Sequence, residues 1–305
     1  MPLKPGKTCF DSTTRRILSL FTVLLVLPFG VQAEFPYYGK LIQNGFGSNP
    51  SHGLAGSIYA VDENSFQVTG FTFDAIGGDS AFLLGVDKDY ATASGTGADS
   101  TAVAISNPLG QSAPLRAYNG ETVMLELPTG MTLSDYKYIA VGNKTTKELY
   151  GGADIPNGFS APAPQNVGTF SSLAHGVASG DVTVLNDRMI SIKAFRYDGQ
   201  GPDAFFYVGT TSNVAGGQRS PYGKIPDENG NSQTKAKAYS DRDIVLTLPD
   251  TMSVTDLKWL SMFCISYAHD FGNVKFPANL NVPPYSEIGK YGIVMFVRFG
   301  LISIY

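Results

Sequence analysis

Cys264 and His269 are the residues of this 305-residue sequence that most invite chemistry. They share the stretch KWLSMFCISYAHDFG (258–272) at Cys-x4-His spacing. A thiolate and an imidazole are the donor types that hold heme iron or a transition metal. On a regular strand, side chains five apart face opposite sides, so the pair can meet only across a bulge or a turn. The other histidines, His52 and His175, are distant in sequence, and a structural zinc site wants four ligands. No metal site is therefore expected. A lone strand cysteine also has a plain reading as a small buried hydrophobe, and both readings stay open.

The stretch has a partner. KYIAVGNKTTKELYG (137–151) follows the same pattern, with Asn143 where the other has Cys264. Asn143 opens N-K-T, an N-glycosylation sequon. A usable sequon faces solvent, which predicts that the matching position in the second stretch lies near a strand rim and brings Cys264 closer to solvent.

The match extends along the chain. His52, Asp74, Asp79 and Gly85 align with His175, Asp198, Asp203 and Gly209, and the run from Tyr118 aligns with that from Tyr239. Both copies close on proline, at Pro156 and Pro277. A period this long describes a duplicated domain, not a solenoid. His52 and His175 each open a His-Gly pair and read as framework histidines at a strand entrance. Asp79 and Asp203 read as carboxylates that cap the amides of their own turns. Hydrolase chemistry finds no support: G-x-S-x-G, H-E-x-x-H and the P-loop are all absent from the sequence.

The elements that position these residues read as β. Charged residues are only 16%, while Gly, Tyr and Phe are plentiful, a mix suited to short strands and glycine turns. The runs 57–62, 65–73, 81–86, 122–128 and 136–141 are β-branched or aromatic and bounded by Gly, Asp, Asn or Pro. TVMLEL (122–127) and DIVLTL (243–248) are mostly apolar, which predicts strands covered on both faces. The expected fold is all-β: two tandem antiparallel β-sandwiches or flattened barrels, over 37–156 and 167–277. NGFSAPAPQN (157–166) reads as an extended linker, because Pro162 and Pro164 cannot donate to a ladder.

Before these units, basic residues precede the apolar run 17–31 and small residues follow it, so residues 1–33 read as a secretory signal peptide. Cys9 belongs to that segment. So do Lys4, Lys7, Arg15, Arg16 and Asp11, so 22 basic and 26 acidic residues become 18 and 25, and net charge moves from −4 to −7. An acidic chain without a basic run is a poor nucleic-acid binder. Cys264 is then unpaired, either bridging to another chain or a free thiol. Residues 278–305 have no counterpart in the repeat and read as an unassigned apolar tail, an alternative or truncated end. Their final apolar run is too short to span a bilayer and contains Arg298, so no firm membrane association is expected.

HGVASGDV, FRYDGQGPDAFFYVGT, DIVLTLP and DLKWLSMFCISYAHDFGNVKFP resemble the DM-thirteen domain, found in tandem in insect proteins. The resemblance covers nearly all of the chain after residue 36. The second copy fits well, and the first departs from the pattern at the cysteine. The resemblance implies a redox or electron-transfer accessory module beside a heme-binding DOMON or cytochrome-type partner, not a stand-alone enzyme. The family's cysteine, here Cys264, would be a redox thiol or a ligand to a prosthetic group such as heme, with His269 as a second contact. It also implies a rival from another class: a structural or protein-interaction role, for a member of the family is associated with the mitotic spindle matrix. Localisation is accordingly expected in the secretory pathway or outside the cell, with nucleus and spindle as the alternative.

Overall fold

A computed structural model describes residues 37–94, 97–214 and 223–285. The signal peptide expected over 1–33 and the tail beyond 285 lie outside the described residues. Among those residues the chain is β apart from one short helix and two single 3-10 turns, and every strand ladder is antiparallel.

The first sandwich pairs two sheets. One has the order β1 (Lys40–Asn44), β2 (Ala55–Ala60), β3 (Ser65–Phe73), β6 (Tyr118–Glu126). The other runs β5 (Val103–Ala104), β4 (Ser80–Gly85), β7 (Tyr138–Asn143), β8 (Leu149–Asp154). Phe66 and Val68 and, beyond a bulge, Phe71 and Phe73 turn inward from β3 and meet Phe82, Leu84, Ile139 and Val141. That period of two is why a strand, and not a helix, buries this set.

The second sandwich repeats the plan. β13 (Tyr239–Thr247), β11 (Met189–Tyr197), β10 (Val182–Val184) and β9 (Gln165–Gly168) form one sheet. β12 (Ala204–Gly209), β14 (Trp259–Cys264) and β15 (His269–Lys275) form the other. Ile190, Ile192 and Phe195 face Phe206, Val208, Leu260 and Met262 in a core of its own.

The strands covered on both faces are not the ones expected. β6 and β13 are edge strands. Beyond Tyr118 and Tyr239 at their starts, only alternate residues are buried (Val123 and Leu125; Ile244 and Leu246), and Val245 is exposed. β4, β12 and β14 are buried at every position instead. Their outer faces gather small clusters of their own: Leu83, Tyr138 and Ala140 of the sheet with Ala93 of helix α1 (Tyr90–Ser94) and Ala102 in the first copy, and Tyr207, Trp259 and Phe263 of the sheet with Val214 in the second.

The segments flanking the second copy are built into the fold. Gln165 and Asn166 of the expected linker already belong to β9, and Phe159 and Ala161 pack on the first core. The strip from 278 to 285 also leaves the tail reading. Val282 is fully buried in the second core, Leu280 packs beside it, and Asn281 O accepts from Ala163 N at 3.0 Å. Asp187 holds its end: its amide donates to Pro283 O, and its carboxylate accepts from Tyr285 N. Burial raises the pKa of that carboxyl.

Candidate functional site

The β14–β15 hairpin resolves the spacing problem set by Cys264 and His269. Cys264 ends β14, His269 opens β15, and the two are directly paired across the ladder. Residues 265–268 make the turn, closed by Ala268 N donating to Ile265 O at 3.2 Å, with Ala268 at φ 47°. Directly opposed cross-strand residues share a face. A turn therefore does what a straight strand cannot.

A bulge follows at once. The register slips between the pairs Phe263–Asp270 and Met262–Gly272, which leaves Phe271 as the extra residue with its ring buried against the core. His175 arrives from a distant loop and lays its ring 4.1 Å from that of Phe271, centroid to centroid, while His269 stands at 5.6 Å in an edge contact. Leu173 N and Ala174 N both donate to Phe271 O, which fixes the loop that carries His175.

His175 is held from behind. Its Nδ1 lies 3.2 Å from both carboxylate oxygens of Asp198, and Asp198 N donates to its carbonyl. The backbone here needs φ 52° at His175 and 63° at Gly176, a left-handed pair that glycine eases at the second position. Asp198 also accepts from Gln200 N, so the turn-capping carboxylate is Asp198. Asp203 and Asp79 do something else. Asp203 accepts from the Ser266 hydroxyl and takes Ile265 N on its carbonyl, and Asp79 does the same with Thr145 and Lys144 N. Each fastens the tip of a hairpin from another strand pair. The expected cap on their own turns gives way to a cross-strand clamp.

These residues surround a cleft of ≈ 530 Å³ lined by His175, Pro202, Cys264, Tyr267, His269 and Phe271. Tyr267 at the hairpin tip is 74% exposed, whereas Cys264 is only 1% exposed. The thiol thus lies at the inner wall, with Tyr197 behind it. The Tyr197 hydroxyl oxygen accepts from Gly201 N at 2.9 Å, and burial raises the pKa of the phenol, with Asp198 and then Cys264 adding to it. Gly201 has to be glycine: a Cβ there would stand 2.5 Å from the Tyr197 hydroxyl and 2.6 Å from the Phe271 ring.

In the first copy Asn143 takes the place of Cys264 at the end of β7 and is half-buried. Its Nδ2 donates to Gly77 O at 3.2 Å, and its Oδ1 accepts from Thr145 N and Thr146 N. Among the described residues no group of three or more His, Cys, Asp or Glu is placed to hold a metal ion. Sequence reasoning linked neither His175 nor Phe271 to Cys264. The recurrence of the His-Gly pairs and of Asp74 and Asp198 was the available signal.

Residues 45–155 and 169–276 match the family described as Electron transfer DM13. The chain belongs to the electron transfer DM13 family. It carries two DM13 domains, one on each sandwich, and the cleft lies in the second. The DM13 chain is 34% identical over 274 residues to Protein Skeletor, isoforms B/C, of Drosophila melanogaster, across 88% of its own length and 33% of that protein's. To isoforms D/E the identity is the same, over 17% of that longer protein. The DM13 chain therefore spans a third or less of the curated relatives it matches. No solved structure matches it at a significant level.

Proposed function

We propose that the chain is an electron-transfer accessory module whose redox group is the thiol of Cys264, the first DM13 domain serving as scaffold or docking domain. The observation that carries this is the direct pairing of Cys264 with His269 at a cleft that His175 also lines. A thiol must lose its proton before it acts as electron donor or ligand, and an imidazole opposite it can take that proton. The partner in this reading is a heme-binding protein of DOMON or cytochrome type, met in the secretory pathway or outside the cell, where Asn143 would be the acceptor for N-linked sugar.

Were heme to contact this cleft directly, the donors that suit it are the imidazoles of His269, exposed, and His175, whose Nδ1 already rests on a carboxylate. The sulfur, on a residue 1% exposed, suits iron less well. Heme would supply a one-electron couple, and the two imidazoles are the residues that would hold it. The test is modification of the native full chain by a small methylthiolating reagent, methyl methanethiosulfonate, which puts S–CH3 on a thiolate and releases sulfinate, read by mass spectrometry together with the mature N-terminus and any Asn143 glycan. Complete, slow modification of Cys264 is expected. No modification without denaturant removes the thiol reading, and no Soret band on adding heme removes the direct heme contact.

The burial of Cys264 among Met262, Phe271 and Leu260 favours one rival. In it the thiol is inert core, and the tandem sandwiches are a structural or protein-interaction unit, in an extracellular scaffold or on the mitotic spindle. That rival expects Cys264→Ser to leave binding and localisation unchanged.

A further inference from the structure

The cleft beside Cys264 has a chemical character that selects a ligand. Its walls are rings: Phe271, the imidazoles of His175 and His269, and Tyr267 at the rim. Leu173, 61% exposed, is tied by its backbone amide to Phe271 O. Exposed apolar side chains gathered at the mouth of a cleft mark a place where something apolar settles. Among the described residues no lysine, arginine, aspartate or glutamate lines the cleft. Asp198, the carboxylate behind it, is engaged by His175 and by Gln200 N. A charged ligand has no counter-charge here, and a flat uncharged one has stacking surface on several sides.

His175 brings a polar ring to this lining. With Nδ1 of His175 set against the two oxygens of Asp198, the neutral ring carries its proton on Nδ1, which leaves Nε2 as an acceptor. An acceptor imidazole among aromatic walls recognises a hydroxyl attached to a ring. We propose that this cleft binds a small phenol, its ring against Phe271, His269 and Tyr267 and its O–H donating to Nε2 of His175. The assignment deepens the redox reading of the same cleft and rests on it for its purpose, while the binding itself stands on the Phe271 ring and the His175–Asp198 contact.

The experiment compares p-cresol with 4-methylanisole, which has the same shape but no hydroxyl donor, on the full chain. Binding is followed through imidazole C–H resonances, which three histidines make resolvable. Shifts at His175 and His269 are expected, with p-cresol about 10-fold the tighter, the worth of one good hydrogen bond. His175→Phe keeps a ring against Phe271 and should erase the preference, and Asp198→Asn, which loosens the tautomer, should reduce it. Equal affinity of the two ligands, no shift at either histidine, or a preference that survives in His175→Phe overturns the proposal. The wild-type comparison decides even where a variant fails to fold. Discrimination by a chain whose Cys264 resists every thiol reagent would leave the phenol site standing and remove the redox reading. A reactive thiol without discrimination would remove the phenol site alone.

Discussion

The β7–β8 and β14–β15 hairpins share a backbone and differ in what they place on it. Each carries a bulge that pushes one ring inward, Tyr150 in the first and Phe271 in the second, beneath a histidine at 4.3 and 4.1 Å. Each histidine sits at positive φ and rests on an aspartate, at 3.3 Å for His52 and 3.2 Å for His175. The side chains then part. In the first copy Tyr150 and Asn143 both donate to Gly77 O, so the polar groups close on one another. In the second, Phe271 and Cys264 offer no such donors, and the hydroxyl appears instead on Tyr197, where the first copy has Phe73. A shared His–Asp–ring support therefore carries a self-satisfied turn in one place and an apolar wall with a thiol in the other.

The widest separation of the two copies should come from removing the ring. Phe271→Ala would open a cavity beneath His175 and cost the second sandwich about 3–5 kcal/mol. Trp259, the chain's only tryptophan, lies in β14, buried with Nε1 donating to Thr211 O, so its fluorescence in denaturant reports on that sandwich. Phe271→Ala should bring the tryptophan transition to much lower denaturant, while Tyr150→Ala leaves it in place. An equal shift from both variants would mean that the two sandwiches unfold as one, and the comparison would break.

Much of this contrast was legible in the residues. The duplication, the β character and the Cys264–Asn143 exchange follow from aligning the chain with itself. What escaped depends on the third dimension. Apolar runs such as 243–248 do not say whether further residues cover them, and here α1 and Val214 pack on the outer faces of β4, β12 and β14 instead. The facing of Cys264 and His269 depends on where the turn falls. The convergence of His175 on Phe271 is set by a loop far off in sequence, and the strip 278–285 is claimed by contacts to Asp187 and Ala163 that no local pattern announces.

A smaller effect tests the exchanged position itself. Cys264→Ser puts a hydroxyl where the surroundings are apolar, a loss of about 1–3 kcal/mol if the hydroxyl stays unpaired. The tryptophan transition again reads it. Asn143→Cys would forfeit the hydrogen bonds to Gly77 O, Thr145 N and Thr146 N and present a half-buried thiol. In that variant the thiol at 143 should react with a bulky reagent faster than Cys264 does. Comparable rates would show that burial of the thiol belongs to the hairpin position and not to the residues around Cys264.

The smallest expected effect lies in the clamp at the hairpin tip. The Thr145 hydroxyl, then Lys144, lowers the pKa of Asp79 below the ordinary carboxylate value. A folded pKa below the unfolded one means that the contribution is fully present above the ordinary carboxylate range. It is lost as the pH falls through the lowered value, where the folded carboxylate finally protonates. Asp79→Asn should therefore lower the calorimetric transition of the first sandwich at neutral pH by a small amount, and the difference from wild type should shrink below the ordinary carboxylate range and vanish below the lowered value. Salt should shrink the neutral-pH difference, since Lys144 lies 3.0 Å away at a solvent-facing site. A difference that persists unchanged into acid would mean that Asp79 holds the tip by shape, as a neutral amide can, and that its charge contributes nothing to setting the first hairpin apart from the second.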